Sequence, residues 1–396
     1  MSTITATELP TRKSAIAAMV VICSALTLVA LPFFMVGGLA VQIKEALGLS
    51  EAALGGVVTI GFLAGAVSAP IGGRVADRIG PKLAVYLGCG LCALALLGIG
   101  VLADDWLTLM LILCLAGVAV ALTDPALAIL IGRTIPSGRQ GLAFGIKEAS
   151  IPASTLIAGL AVPTIALTVG WEWAFAIGAI PLALIVILLP RIRFAPAPAQ
   201  VLSDHPADPN PRPSPARRAL LIATAAGALG TLSSSGVGIF LTDSAVAMGF
   251  SPAGAGILLA VGSVAGMCAR VAAGARADKT GGPQFRLIAS MLAVGAAGLA
   301  LGSTGVPVLL VVATLAAFTG GWAWTGLFFL SLVAAYPDRP GAVAGLGTFG
   351  LGLGNAAGPV MFGLAAGSVS YGFAWIGAAV VTALASVLMT VARRGF

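Results

Sequence analysis

Gly73-Arg74-Val75-Ala76-Asp77-Arg78-Ile79-Gly80 returns 201 residues later as Gly274-Ala275-Arg276-Ala277-Asp278-Lys279-Thr280-Gly281. Both copies read Gly-x-x-x-Asp-(Arg/Lys)-x-Gly, and each lies between two long apolar stretches. A charged turn repeated in that setting predicts two similar halves, each with a tight polar loop at one face of a membrane. The repeat extends beyond the loop. Leu49-Ser50-Glu51-Ala52-Ala53 matches Phe250-Ser251-Pro252-Ala253-Gly254 at the same offset. Arg139-Gln140-Gly141 with Gly145 matches Arg339-Pro340-Gly341 with Gly345, and Trp173-Ala174-Phe175 matches Phe373-Ala374-Trp375, both at an offset of 200.

Composition demands the membrane. Hydrophobic residues make up 59% of the 396-residue chain and charged ones 9%, whereas a soluble domain carries about a quarter charged residues. A spanning helix needs about 20 apolar residues, and helices keep their backbone hydrogen bonds within the segment, as lipid requires. Twelve spans are predicted, at 15–40, 53–73, 83–103, 106–132, 141–168 and 172–190, then 218–243, 253–274, 286–304, 307–335, 341–367 and 372–392. The fold class read from this pattern is an all-α membrane protein of two six-helix halves. The first apolar run is longer than a signal-peptide core and is expected to be retained.

Lysine and arginine fix the expected orientation. With twelve spans, one face carries nearly all of them, while the other carries Lys44 alone with Glu45, Glu51, Asp104, Asp105, Glu172 and Asp243. Both termini are therefore expected in the cytoplasm, with the chain multi-pass in a plasma membrane of the bacterial inner-membrane type. The net charge of +7 is then a topology signal and not a sign of nucleic-acid binding. Residues 191–217 hold seven prolines and are expected to form a cytoplasmic linker between an N-terminal half, 1–190, and a C-terminal half, 218–396. His205, the only histidine, falls in that linker.

These features resemble the major facilitator superfamily over essentially the full length. Gly73, Asp77, Arg78, Gly80 and Lys82 match the family's loop motif between spans 2 and 3; Gly274, Asp278, Lys279 and Gly281 match its weaker copy between spans 8 and 9. Pro81 stands where the family often has a basic residue. The resemblance implies secondary transport by alternating access, the two halves rocking about a central site, with the loops acting as conformational switches. The residue chemistry agrees: glycines permit the turn, and a carboxylate suits the positive N-terminus of a neighbouring helix.

Ionisable residues inside a membrane are costly and point to function. Lys147 and Glu148 lie in span 5, Asp124 precedes Pro125 in span 4, and Arg270 sits near the end of span 8. At the repeat offsets Lys147 corresponds to Gly347, Glu148 to Thr348 and Arg270 to Ala69, so the scaffold does not require these charges. Lys147 is the expected contact for an anionic substrate group, against pairing with Glu148 or Asp124 or reaching the headgroups. Asp124 suits a coupling proton, a cation or a pair with Lys147; Arg270 suits an anion, the headgroups or Asp278. Trp322, Trp324, Asn355 and the Ser233–Ser235 run are further cavity candidates, and Phe33, Phe34 and Met35 suggest an apolar wall.

A small organic anion, with proton coupling as an extension, is the substrate class read from this inventory. The alternative is export of drugs or lipophilic metabolites. Span 4 lacks the arginine that the resemblance leads one to expect in the drug–proton antiporter branch, and the Gly354-x-x-x-Gly358-Pro359 run lies in span 11 where that branch carries it in span 5. An enzyme is not expected: there is no catalytic constellation, no phosphate-binding loop and no zinc spacing. No cofactor or metal is expected. The partners expected are a small-molecule substrate, protons and the bilayer, with the chain working as a monomer. Cys23, Cys89, Cys92, Cys114 and Cys268 read as packing residues.

Overall fold

The computed structural model describes residues 12–135, 139–188, 217–336 and 340–396. The predicted linker, apart from Arg217, and His205 lie outside them. The described helices are α1 (Arg12–Gly38), α2 (Glu51–Ile79), α3 (Pro81–Leu102), α4 (Trp106–Thr134), α5 (Gly141–Val169) and α6 (Trp171–Leu188), then α7 (Arg217–Ala247), α8 (Pro252–Thr280), α9 (Phe285–Gly302), α10 (Pro307–Ala335), α11 (Pro340–Ser368) and α12 (Tyr371–Ala392). Eleven are long and apolar enough to cross a membrane; the sixth appears as a shorter apolar helix, Trp171–Ile187. A short helix, Ala40–Leu47, joins α1 to α2.

The repeat is visible in how helices begin and end. Ser50 and Ser251, matched in sequence, both cap a helix, their hydroxyls accepting from the backbone N–H of Ala53 and Gly254. Gly80 and Gly281 close the two loop motifs with φ of +88° and +65°, a region a side chain would strain. Packing repeats as well. In the first half α1 packs on α5, α2 on α4 and α3 on α6; in the second α7 packs on α11, α8 on α10 and α9 on α12.

The halves meet along two seams, α2 against α11 and α5 against α8, which the repeat interchanges. Small residues bring these backbones together. On α5–α8, Gly141 and Gly145 oppose Gly274, and Gly159 opposes Gly256. On α2–α11, Gly55 lies against the Pro359 carbonyl, and the Thr59 hydroxyl donates to Ala356 O at 2.7 Å. At the end of this second seam near the loop motifs, a Cβ on Gly73 or Gly345 would meet no described atom within 4 Å. Among the described residues, then, both seams are closed on the face of Lys44, but only α5–α8 is closed on the loop face.

Inside each half glycine allows the same close approach. A methyl group on Gly354 of α11 would overlap Ala228 O and the Thr231 hydroxyl of α7, whereas one on Gly377 of α12 would enter open space. Overpacking of this kind costs about 1–3 kcal/mol. Gly354→Ala is expected to lower the melting temperature of the purified protein while Gly377→Ala does not; equal melting temperatures would contradict the α7–α11 packing.

Candidate functional site

α5 is built to present a charge at its bend. Its first segment, which ends at Glu148, gives way at Ala149 to a second beginning at Ser150. Pro152 stands four residues after Glu148 and has no N–H to offer it, so the Glu148 carbonyl needs another donor. Arg270 of α8 supplies it: Nη1 donates to Glu148 O at 2.7 Å. The second guanidinium nitrogen donates to Trp322 O at 3.0 Å, at the end of a π-helical turn, Ala317–Trp322, in α10. Such turns are frequent at functional sites. The guanidinium also lies 5.7 Å from the Trp322 ring centroid, and that ring packs at 5.6 Å on Phe34 of α1.

The side chains continue as a chain of alternating charge. Lys147 Nζ lies 2.6 Å from Asp124 Oδ1 of α4 and 3.1 Å from Glu148 Oε1. Glu148 Oε2 lies 3.5 Å from Arg270 Nη1 and takes a long hydrogen bond from Thr325 of α10 at 3.5 Å. Asp124, Lys147, Glu148 and Arg270 thus link α4 and α5 of one half to α8 and α10 of the other. Side-chain exposure falls from 42% at Asp124 to 7% at Lys147, 13% at Glu148 and 2% at Arg270. Asp124 is the open end, and the two bases are sealed behind it. Two acids and two bases leave the chain neutral, which is how a low-dielectric interior tolerates charge.

Four of the predicted site residues are therefore neighbours. Lys147 and Glu148, adjacent in sequence and pointing about 100° apart on an ideal helix, still touch because the lysine is long. Arg270 reaches neither Asp278 nor the surface. Trp324 does not join them: it is fully buried against Phe328, its indole N–H donating to Gly321 O at 2.7 Å. Asn355 is half-buried on α11, on the side of the helix away from the exposed Phe349, Leu353 and Leu364. Ser233, Ser234 and Ser235 donate to backbone carbonyls of Ala378, Thr231 and Leu232. Phe33 stacks on Phe62, and Met35 is buried. The Trp322 carbonyl, Thr325 and Pro152 were not read as parts of the site from sequence; the Glu148-x-x-x-Pro152 spacing is the signal that announces an orphan carbonyl.

The two loop motifs sit differently. Asp278 accepts from the N–H groups of Gly141 and Leu142, both at 2.8 Å, and so caps the start of α5 across the seam. Asp77, its counterpart, is exposed and has no described hydrogen-bond or ion-pair partner. Arg78 and Lys279 are also exposed, and Gly80 and Gly281 form the turns.

Charge balance makes a measurable demand on this chain. Lys147→Met leaves two carboxylates without their shared cation, and breaking a buried pair costs about 3–5 kcal/mol. Lys147→Met with Asp124→Asn leaves only the balanced Glu148–Arg270 pair. The double variant is expected to melt higher than Lys147→Met alone; additive losses would contradict the coupling.

The geometry can be set beside known proteins. The sequence model of the Major Facilitator Superfamily matches residues 22–359. Rv1250 of Mycobacterium tuberculosis, described as an uncharacterized MFS-type transporter, is 32% identical over 139 residues, 34% of this chain and 24% of that protein. EfpA of the same species, given the same description, is 30% identical over 150 residues, 38% of this chain and 28% of that one. Puromycin resistance protein pur8 of Streptomyces alboniger is 34% identical over 183 residues, 44% of this chain and 35% of that one. The matched stretches thus span about a quarter to a third of these relatives' lengths. Among solved structures, a bacterial homolog of the human lysosomal transporter Spinster superposes with a TM-score of 0.75 at 15% identity, covering 98% of each chain. The xylose transporter XylE from E. coli gives 0.73 at 15% identity over 95% of this chain and 96% of that one. With the two six-helix halves and the duplicated loop motif, these matches show that the chain belongs to the Major Facilitator Superfamily of membrane transporters.

Proposed function

We propose that this chain is a secondary transporter that moves a small organic anion together with a proton by alternating access. The observation that carries the reading is the neutral ion chain whose open end is Asp124. An anion added to the resting chain would leave a net negative charge in a low-dielectric site. A proton on Asp124 frees one side of Lys147 and makes the chain net positive; an anion then restores neutrality. Proton and anion are each costly alone and cheap together, which is the thermodynamic requirement for coupling. In this reading Asp124 carries the proton, Lys147 contacts the anion, and Glu148 with Arg270 passes the change to the second half. Asn355 is a further polar contact; Trp324 serves as packing.

The lysine and arginine bias supports a cytoplasmic loop face and cytoplasmic termini in a bacterial inner membrane. On that face Asp278 caps α5, and we assign Asp77 the matching task at the start of α11 when the α2–α11 seam closes. Gly73, Gly80, Gly274 and Gly281 allow the approaches and turns, while Arg78, Lys82 and Lys279 hold the loops at the headgroups. Halves 1–190 and 218–396, joined by 191–217, move as the rocking units, and one chain suffices.

A second reading, export of drugs or lipophilic metabolites, draws on one observation: pur8, similar over 183 residues, is named a puromycin resistance protein.

A thermal-shift screen of the purified protein against carboxylates, sulfonates, nucleosides, vitamins, sugars and lipophilic cations separates the two. Anionic hits are expected, stronger at low pH, lost in Lys147→Ala, and independent of pH in Asp124→Asn, which mimics the protonated acid. Lipophilic cationic hits indifferent to Lys147 would decide for export. With a substrate in hand, Asp77→Asn is expected to slow uptake into proteoliposomes by more than tenfold with affinity changed less than threefold; an unchanged rate would remove the loop from switching.

A further inference from the structure

The face opposite the loop motifs carries a second ion cluster, joined to different helices. Lys44, in the short helix after α1, has Nζ 2.6 Å from Glu51 Oε1 and 2.7 Å from Asp243 Oδ2. Tyr371, at the start of α12, donates its hydroxyl to the same Asp243 oxygen. Lys44 and Asp243 are 15% and 8% exposed, so this is not a loose surface pair. Burial pulls the Lys44 ammonium down, but hydrogen bonds and charge from Asp243 and Glu51 outweigh it and hold it above its ordinary value. The backbones beneath are in contact: the Thr242 hydroxyl donates to Gly37 O at 2.7 Å, and a Cβ on Gly37 would lie 2.8 Å from Ile239 Cα.

The distribution of the four residues between the halves is the informative point. Lys44 and Glu51 belong to the first half, Asp243 and Tyr371 to the second. Only Lys44–Asp243 crosses between them. When this face opens, that pair must part, yet Lys44 keeps Glu51 and Asp243 keeps Tyr371. A buried charge stripped of every partner is costly; here each charge retains one on its own side. The scaffold does not ask for this. At the repeat offsets Asp243 corresponds to Gln42 and Tyr371 to Trp171, both uncharged, and Gln42 Oε1 and Trp171 Nε1 are buried without a hydrogen-bond partner among the described residues.

We propose that Lys44–Asp243 is the latch that closes the transport path on this face, and that Glu51 and Tyr371 are its parking partners, holding the two charges while the latch is open. The inference needs the rocking of two halves but not any particular substrate, proton coupling or a role for Lys147.

The parking arrangement predicts effects of opposite sign. The reporter is Ser263→Cys, whose native side chain is buried in the α5–α8 seam 2.6 Å from the Thr155 hydroxyl. A membrane-impermeant maleimide is applied to the face on which an Asp104→Cys chain labels, since Asp104 is exposed there, and labelling at residue 263 is quantified by mass spectrometry. Asp243→Asn and Lys44→Met are expected to speed labelling at least fivefold. Tyr371→Phe and Glu51→Gln are expected to slow it at least twofold, because the open state loses the only partner of one charge while the closed state loses one of two. Glu45→Gln, exposed on the same short helix, is expected to change nothing. Faster labelling in all four variants would mean loosened packing and would overturn the proposal, as would unchanged labelling in Asp243→Asn and Lys44→Met. The seam reporter tests the latch even if no anion is ever found to bind.

Discussion

A charge taken out of water in this bundle has to find its counter-charge on a neighbouring helix. Among the described residues every ion pair belongs to one of two clusters, Asp124–Lys147–Glu148–Arg270 in the interior and Lys44–Glu51–Asp243 at one face. In each, a residue of the first half is tied to one of the second. The same requirement that makes buried charge affordable therefore makes the two halves sense each other. A helix bundle held only by apolar contact would have no comparable preference for one arrangement, since lipid tails are as apolar as leucine.

The backbone works under a related constraint. Carbonyls that lose their helical donor must be satisfied inside the protein. Pro152 releases the Glu148 carbonyl and the π-helical turn in α10 ends at the Trp322 carbonyl; one guanidinium serves both. Arg270 is thus held by geometry as well as charge. A lysine could not take its place, because an ammonium lacks the planar fork that reaches two carbonyls and a carboxylate at once. Glycine makes this reach short enough: Gly145 and Gly274 let α5 and α8 approach beside the pair.

Much of this was legible in the chain. The loop motif, the Ser50/Ser251 match and the charge bias led to helices, halves and faces, because each depends on local sequence or on composition. Intramembrane charge led to Lys147, Glu148, Asp124 and Arg270 for the same reason. Their connectivity was not legible. That Arg270 meets Glu148 depends on α5 lying against α8, which no local pattern states. Trp324 looked like Trp322 in sequence, two residues apart in one span, but about 200° separates them on an ideal helix; one ring faces Arg270 and the other packs on Phe328. Lys44, Glu51 and Asp243 were read as topology markers because they fall at span ends, where charge is ordinarily solvated. Only the fold brings those three ends together.

Where the two halves agree and where they differ divides scaffold from chemistry. The helix caps, the loop glycines and the two seams are duplicated, and each answers a need that both halves share: to start, turn and pack. The charges of the two ion clusters are not duplicated. Gly347 and Thr348 stand where Lys147 and Glu148 do, Ala69 where Arg270 does, and Gln42 where Asp243 does. Asp124, Lys147 and Glu148 leave the first half one negative charge and Arg270 gives the second one positive charge, so balance is reached only across the seam. A lysine and a glutamate in the second copy as well would add no net charge, so they would not have removed this imbalance. Departure from the repeat at these positions is what places an ion pair across the seam between two packed bundles.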